Sequence, residues 1–303
     1  MNIDIIMYHY VRDSSSSKYP GIKSLDINEF ISQIEYLQKH YQIISIEDFL
    51  FDNNSQNKKQ CMLTFDDGYK EHHNIVTDIL LNNGLKGCFF VTSDTVQNRK
   101  ILDANKIHLI LASANESIIF ERIKFHFNNL NNSGVSIKNY IDQIDFSSRF
   151  DSKETILIKR LLQKILPEDL RSKICDSLLL DFVEQDKNEI IDELYLNKDE
   201  IKEMINYGMH IGGHTVSHKW MSSLSYSEQE TEIKGTLKFL ENIYSTKFIP
   251  SLCYPFGDYN SDTISLMNKH KFKAGFTCDP RGFNKLTDSP LEIPRYDTND
   301  FPQ

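Results

Sequence analysis

Three polar clusters along the chain have residue types and spacings that could support hydrolysis. The first is the acidic pair Asp66 and Asp67, the second is the histidine pair His214 and His218, and the third is the turn Pro255–Gly257. A divalent metal held by histidine and carboxylate ligands can activate water for attack on an acyl group, with a neighbouring carboxylate as base. The three clusters are therefore candidates for one metal-dependent hydrolytic site.

The acidic pair has two interpretations. A turn with an N-cap aspartate would explain an isolated Asp-Asp-Gly sequence. The alternative is a functional site, because two carboxylates directly after the apolar run 61–65 cannot both enter an apolar core without a large desolvation cost. A cation beside Asp66 and Asp67 would remove that cost.

The histidine pair could supply ligands for such a cation. Histidines four residues apart share one face of a helical turn, as in the zincin H-E-x-x-H pair. Thr215 stands where the zincin glutamate would be, so the zincin base is absent. A lone pair of this kind also fits a surface or core position, whereas His214 and His218 with one aspartate would complete the three protein ligands of a catalytic zinc site.

The Pro255–Gly257 turn also has two interpretations. Proline and glycine predict a sharp turn after a strand, and such a turn could present a backbone N–H to a ligand. If this cluster stood alone, a plain strand-ending turn would explain it.

Each cluster follows an apolar run that predicts a β-strand, and α/β folds place their sites at such strand ends. Helical patterns separate several of the runs, for example over 225–244, where Ser225 and Glu228 have the form of a capping box. Strands alternating with helices predict a mainly parallel sheet. The predicted strands are 3–8, 61–65, 87–91, 209–211, 252–254, 275–277 and 292–294.

The segment 99–193 differs from the rest. Amphipathic helix patterns run through Ile107 and through Ile174, and no strand signal is strong. We predict a single domain over 1–303, with a helical insertion at 99–193.

Taken in order, T-F-D-D-G-Y at 64–69, H-T-x-x-H at 214–218 and Y-P-F-G at 254–257 resemble the motifs of the polysaccharide deacetylase family, the NodB-homology group or carbohydrate esterase family 4. The opening M-Y-H-Y-V at 7–11 is similar to the start of many bacterial members. The resemblance spans 7–295 apart from the insertion. It implies an α/β fold, a deformed (β/α) barrel of about seven strands with a metal at the C-terminal strand ends.

The resemblance also implies residue roles. Asp67, His214 and His218 would bind a divalent metal, and Asp66 would be the catalytic base. Zinc is expected from this ligand set, while cobalt, nickel and manganese suit similar ligands. The backbone N–H of Phe256 would stabilise the oxyanion of the tetrahedral intermediate.

Two other motif residues, Tyr69 and Pro255, are expected to contact substrate. The chain departs from the family pattern at two points: Cys253 stands where many members carry an arginine beside the base, and the late leucine–histidine motif that supplies the acid is absent. We predict that Arg295 replaces the missing arginine and that His9, after the first strand, is the general acid.

Several other residues have ordinary interpretations. His72 and His73 are expected on an exposed helix, and His210 is expected to be buried. Trp220 and Met221 follow the histidine pair and could line an acyl pocket or pack in the core.

Composition excludes several classes of protein. With 40% hydrophobic and 25% charged residues in 303, the chain is typical of a soluble globular protein. A formal charge of −9 without a basic run argues against a nucleic-acid partner. Five cysteines scattered singly are typical of a reducing compartment.

No segment approaches the roughly 18 apolar residues of a membrane span, and the first ten residues lack a signal-peptide pattern. We therefore expect a cytoplasmic protein without a membrane span; the sequence indicates no oligomeric state.

The leading hypothesis is a hydrolase that removes an N-acetyl or N-formyl group from an amino sugar. That sugar would be a precursor, such as a nucleotide- or lipid-linked sugar, in the synthesis of cell-surface polysaccharide. One alternative is an amidohydrolase that acts on a small non-sugar amide. The other is an inactive carbohydrate-binding relative, which would explain the missing arginine and late histidine.

Overall fold

The computed structural model describes residues 2–51, 58–148 and 151–302. The chain divides into two compact units, and the regular elements of the second unit are helices in the residues described. The single domain with an insertion at 99–193 stays a prediction. The first unit comprises Met1–Asp13, Ser24–Lys100 and Ile191–Gln303, and the second comprises Ser14–Lys23 and Ile101–Ile190.

The first unit is built on a curled sheet whose hydrogen-bonded path runs β7-β6-β5-β4-β3-β1-β8, with β2 beside β3 and β9 beside β1. The strand pairs are parallel except for the antiparallel pair β1–β8. This arrangement confirms the predicted α/β fold with a deformed barrel of about seven strands. The strands β1 to β9 are Asn2–Tyr8, Gln42–Ile43, Gln60–Phe65, Cys88–Val91, His210–Gly213, Ser251–Cys253, Ala274–Phe276, Phe283–Asn284 and Tyr296–Asp297.

The central strands are apolar along almost their whole length because both of their faces are buried. Tyr8, Phe65 and Phe89 lie on one face of the sheet, where Phe65 stacks on both neighbours at centroid distances of 5.0 and 4.7 Å. Met62 and Phe90 belong to the core on the opposite face. Side chains alternate between faces along a strand, so a parallel strand covered on both sides reads as a continuous apolar run.

Thirteen α-helices lie among the described residues. The helix predicted over 225–244 is present as α12, and its capping box is confirmed: Ser225 N donates to the Glu228 carboxylate at 2.8 Å, and Glu228 N donates to Ser225 Oγ at 3.4 Å. A π-helical turn, His72–Thr77, leads into α3. The helices α1 to α13 are Ile27–His40, Ile46–Phe51, Asp78–Asn82, Ser93–Gln97, Asp103–Ser113, Glu116–Leu130, Ile137–Ile141, Lys153–Arg160, Glu168–Phe182, Lys187–Leu194, Lys198–Asn206, Tyr226–Ile243 and Ser261–Lys269.

The second unit has its own apolar core. The helices predicted through Ile107 and Ile174 are present as α5 and α9, and each contributes buried side chains to that core. In the described parts of both units, no helix has the length and hydropathy needed to cross a bilayer.

The strand predicted at 292–294 is wrong as a strand of that length. Ile293 alone pairs with β7, donating to Gly275 O at 2.7 Å and accepting from Thr277 N at 2.8 Å. The pairing does not continue on either side, because Gly275 N donates to Pro290 O and Arg295 N donates to Asp279 O, each at 2.9 Å. The chain forms the short strands β8 and β9 on either side of it instead.

The register of the parallel strands brings their carboxyl ends to one edge of the sheet. Phe65 pairs with Tyr8 on β1 and with Phe89 on β4, while Gly213 pairs with Val91 on β4 and with Leu252 on β6. The chain therefore enters the acidic pair and the histidine pair at the same edge.

Candidate active site

A compact donor set lies at this edge of the sheet. Asp67 Oδ1 is 3.4 Å from His214 Nε2 and 3.3 Å from His218 Nε2. The side chains are at most 8% exposed. Asp67 Oδ1 has no hydrogen-bond partner among the described residues, although burying a polar oxygen without one is costly. The structure thus brings together the three residues predicted as metal ligands.

The donor set fits a divalent cation. Two ligands of one tetrahedral zinc ion, with bonds of about 2.1 Å, lie about 3.4 Å apart, close to the spacings between Asp67 Oδ1 and the two histidines. His214 Nδ1 lies 2.8 Å from the carbonyl oxygen of Cys253, and donation to that oxygen leaves the lone pair of Nε2 directed at Asp67. The unpartnered oxygen and the imidazole orientation are both what a bound cation requires.

A second group of possible ligands, Asp66, His214 and Cys253, is less suited to a cation. Arg295 Nη2 lies 2.7 Å from Asp66 Oδ2 and 3.0 Å from Cys253 Sγ, so a guanidinium charge already occupies this place. Burial also raises the pKa of the Cys253 thiol, whereas a metal binds the thiolate. Of the two groups, the set that contains Asp67 is therefore better suited to hold a cation.

Asp66 and Arg295 form a fully buried bidentate ion pair. Arg295 Nη1 donates to Asp66 Oδ1 at 2.8 Å and Nη2 donates to Oδ2 at 2.7 Å. The same guanidinium donates to Thr277 O at 2.8 Å and to Thr64 Oγ1 at 3.1 Å. Burial alone would raise the pKa of Asp66, but Arg295 lowers it to about 2. The carboxylate beside the donor set is therefore ionised at neutral pH.

Tyr69 contacts the oxygen of Asp67 that does not face the histidines. Its side chain is fully buried, and its hydroxyl donates to Asp67 Oδ2 at 2.6 Å. The ring stacks on Tyr10 at a centroid distance of 3.9 Å. Because Tyr69 is enclosed in this way, we reassign it from the expected substrate contact to the positioning of Asp67.

The loops at the site adopt unusual backbone conformations. Six non-glycine residues of the described chain have a positive φ, and four of them lie here: Asp67 at 73°, Thr215 at 61°, His218 at 58° and Phe256 at 58°. Such conformations persist where surrounding contacts enforce them, and they cluster at functional sites. The expectation of a helical turn for the histidine pair is wrong, because His214 and His218 lie in a loop after β5.

The Pro255–Gly257 turn adds an aromatic wall beside the histidines. Pro255 is buried, while the Phe256 ring is partly exposed and meets the His218 ring edge-on at 4.8 Å. Trp220 stacks on Phe256 at 4.3 Å with an interplanar angle of 6°. Trp220 and Met221 were both considered for an acyl pocket. Met221 is buried in the core, whereas Trp220 lies beside the site and is partly exposed.

His9 is exposed directly after β1, at the same edge as the donor set. Its carbonyl oxygen lies 2.8 Å from Nε2 of His72. The expectation that His72 is a surface residue is wrong: its side chain is fully buried against the rings of Phe65 and Phe89, where burial lowers its pKa to about 4. The π-helical turn directs it into the core, whereas His73 is partly exposed.

The expectation that His210 is buried is confirmed, and its Nε2 lies 2.7 Å from Ser251 Oγ. Sequence reasoning missed Tyr10 and Glu232, which contact the ligand-bearing segments. Tyr10 lies in the M-Y-H-Y-V stretch at 7–11 but was given no role there, and Glu232, within a charged helix, carries no local signal.

Comparison with known proteins identifies relatives of this chain. A family model described as polysaccharide deacetylase matches residues 53–140 and 182–275, more than half of the chain. A curated protein of Bacillus subtilis (strain 168), named "Putative polysaccharide deacetylase YxkH", is 28% identical over 86 residues. That alignment spans 28% of this chain and 30% of the relative. The recognised motifs thus agree with the family match.

Solved structures share the fold over almost the whole chain. Streptococcus pyogenes deacetylase PplD, solved in complex with acetate, has a TM-score of 0.59 at 17% identity and aligns over 98% of this chain and 92% of its own. BC0361, a polysaccharide deacetylase from Bacillus cereus, has a TM-score of 0.58 at 17% identity, with 98% of this chain and 65% of the other aligned. At these identities the likeness concerns the fold.

Proposed function

The chain belongs to the polysaccharide deacetylase family, and on that premise we propose that it hydrolyses the N-acetyl or N-formyl group of an amino sugar, a step in the synthesis of cell-surface polysaccharide. One arrangement supports this most strongly. Asp67 Oδ1, buried and without a partner in the described chain, faces two histidine nitrogens beside the ionised Asp66. A metal-activated hydrolase needs both parts in one place.

Asp67, His214 and His218 would hold the divalent ion, which we propose to be zinc; cobalt, nickel and manganese suit the same ligands. When bound, the ion lowers the pKa of water and polarises the acyl carbonyl. Tyr69 engages Oδ2 of Asp67 and leaves Oδ1 directed at the histidines. The aspartate is thereby held for coordination through a single oxygen.

Asp66 accepts the proton that the attacking water loses. Arg295 donates to both carboxylate oxygens and keeps the group ionised, which supports the proposal that it replaces the usual partner of the base. Each carboxylate oxygen has two lone pairs. Oδ2 also accepts from Cys253 Sγ at 3.3 Å, so Oδ1 is the oxygen with a lone pair still available to water. Asp66 is a base whose orientation is set before substrate arrives.

Phe256 and His9 complete the proposed machinery. The N–H of Phe256, in a turn held at positive φ, stabilises the oxyanion of the tetrahedral intermediate. Pro255 fixes the start of that turn, and Trp220 with Phe256 forms one wall of the substrate site. His9, exposed at the strand edge, donates the proton that the leaving amine requires.

The test is acetate release from three acetylated probes in the presence of zinc: an amino-sugar oligomer, a nucleotide-linked amino sugar and a small non-sugar acetamide. We expect release from a sugar probe. Asp66→Asn should lower turnover by a factor on the order of 100 to 10,000 while zinc binding is retained. Asp262→Asn, the same change at an exposed position of α13, is the matched control and should leave turnover unchanged.

Other outcomes would contradict the proposal. Release from the acetamide alone would favour the small-amide hydrolase, and zinc-loaded protein that binds sugar without releasing acetate would favour the inactive relative.

A further inference from the structure

We propose that Glu232 of α12 is a positioning residue for the metal centre, holding the loop from His214 to His218 in its ligating conformation. This rests on the proposed function in one respect, namely that the loop carries two metal ligands. Glu232 lies outside the motifs and reaches the loop from a helix that begins eight residues after His218.

The Glu232 side chain accepts three hydrogen bonds from the loop. Oε2 accepts from the N–H of Val216 at 2.7 Å and from the N–H of Ser217 at 3.0 Å. Oε1 accepts from the Ser217 hydroxyl at 2.5 Å. The residue is 8% exposed. A buried carboxylate that faces two successive backbone amides ties the loop to the helix at the two residues midway between the histidines.

The opposite side of the loop backbone is bonded to the start of α4. The carbonyl oxygens of the loop accept from Thr92 Oγ1, from Ser93 N and from Asp94 N, at 3.1, 3.2 and 3.0 Å. These contacts restrain the carbonyls, and Glu232 supplies the corresponding restraint on the amides. Buried backbone groups require partners, so removing Glu232 would leave two N–H groups without the acceptor they have here.

The helix also approaches the loop closely through small residues. A Cβ placed on Gly235 would overlap the side chain of Val216, and a Cβ placed on Gly213 would overlap that of Thr236. The loop meanwhile holds Thr215 and His218 at positive φ, a conformation that persists only when neighbours over-determine it. The contacts of α12 are therefore suited to maintaining a strained ligand loop.

Loss of Glu232 should weaken metal binding more than it weakens the fold. Residues that orient metal ligands typically change affinity by about 10- to 100-fold when they are removed. We expect Glu232→Ala to lower zinc affinity within that range. Glu232→Gln should recover most of it, because its amide oxygen can accept from both N–H groups while its NH₂ donates to the Ser217 hydroxyl, which can also act as acceptor.

The experiment measures zinc affinity of metal-free full-length protein by competition with a chromophoric chelator, alongside denaturant unfolding of the same metal-free samples. The variants are Glu232→Ala, Glu232→Gln and Ser217→Ala, which removes one of the three hydrogen bonds. Glu241→Ala, an exposed glutamate on the same helix, is the control and should bind zinc as the wild type does. Ser217→Ala should weaken binding by about 2- to 10-fold, and it provides the readout if Glu232→Ala fails to fold.

Two results would overturn the proposal. The first is wild-type zinc affinity in Glu232→Ala, or in Ser217→Ala if Glu232→Ala does not fold. The second is equal weakening of zinc binding by Glu232→Ala and Glu232→Gln. Failure of the proposed function looks different, because then the wild type itself would bind no zinc, or would bind it and release no acetate.

Discussion

Arg295 and Asp66 meet in a buried bidentate ion pair, although 229 residues separate them in the chain. Many members of the family have an arginine where this chain has Cys253. In this chain the guanidinium that contacts Asp66 belongs to Arg295, in the loop before β9. Cys253 Sγ lies against it at 3.0 Å, so the thiol fills the position from which an arginine side chain would otherwise extend.

Replacing Arg295 with Met should raise the pKa of Asp66, because burial favours the neutral acid once the guanidinium is gone. Infrared titration of the carboxylates in the metal-free protein should show one group titrating at higher pH in Arg295→Met than in the wild type, where the pKa of Asp66 is about 2. Breaking a buried pair on one side should also cost about 3 to 5 kcal/mol of unfolding free energy. Arg281→Met, at a half-exposed ion pair, is the control and should cost under about 1 kcal/mol. Identical carboxylate titrations in the two proteins would show that Arg295 does not set the pKa of Asp66.

Replacing Tyr69 with Phe should weaken zinc binding by about 10-fold or more, because Asp67 Oδ2 loses its 2.6 Å hydrogen bond. Calorimetric titration of the metal-free protein would measure this. Tyr207→Phe removes an exposed hydroxyl that bonds Glu203 at 2.7 Å and should leave affinity unchanged. If the two variants bound zinc equally well, Tyr69 would have no role in positioning Asp67.

Replacing Gly213 with Ala should destabilise the protein by about 1 to 3 kcal/mol, since the new Cβ overlaps Cγ2 of Thr236. Thr236→Ser removes that methyl and keeps the hydroxyl that bonds Glu232 O at 2.8 Å. The double variant should therefore recover much of the loss, and urea unfolding of the four proteins would measure the coupling. If the two substitutions lowered the unfolding free energy additively, the Thr236 methyl would not be what the new Cβ overlaps.

His72 should make stability fall as the pH is lowered. Its pKa is about 4 in the folded chain against an ordinary 6.5, so between these values the unfolded chain binds the extra proton. The stabilisation is complete above about pH 6.5 and lost as pH falls towards 4, a difference of about 3 kcal/mol.

Unfolding free energies across this range should show a smaller slope for His72→Gln than for the wild type. His40→Gln, the same substitution at an exposed position, is the control for the substitution itself. An identical slope in His72→Gln would mean that His72 does not take up a proton differently on unfolding.

The sheet and the donor set were predictable because their signals are local. Apolar runs that end in polar clusters mark β1, β3 and β5 as strands, and the order of three short motifs indicated which residues would meet. The helices through Ile107 and Ile174 were predictable from their apolar spacing for the same reason.

The remaining features depend on tertiary contacts. His72 reads as a surface residue because the two histidines follow a polar turn, yet the π-helical turn directs it against Phe65 and Phe89. The H-T-x-x-H spacing suggested a helix, while contacts on both sides of the loop hold His214 and His218 in another conformation. Glu232 could not be identified, because a glutamate in an amphipathic helix is indistinguishable from its neighbours until the loop packs on it.

The distance along the chain between Asp66 and Arg295 also constrains synthesis on the ribosome. At about 5 to 20 residues per second, Arg295 leaves the decoding centre roughly 11 to 46 s after Asp66. A carboxylate cannot be buried cheaply before its counterion arrives, so we expect this edge of the nascent sheet to stay hydrated during that interval. Closure of the site would then be a late event, completed only when the segment before β9 has been translated.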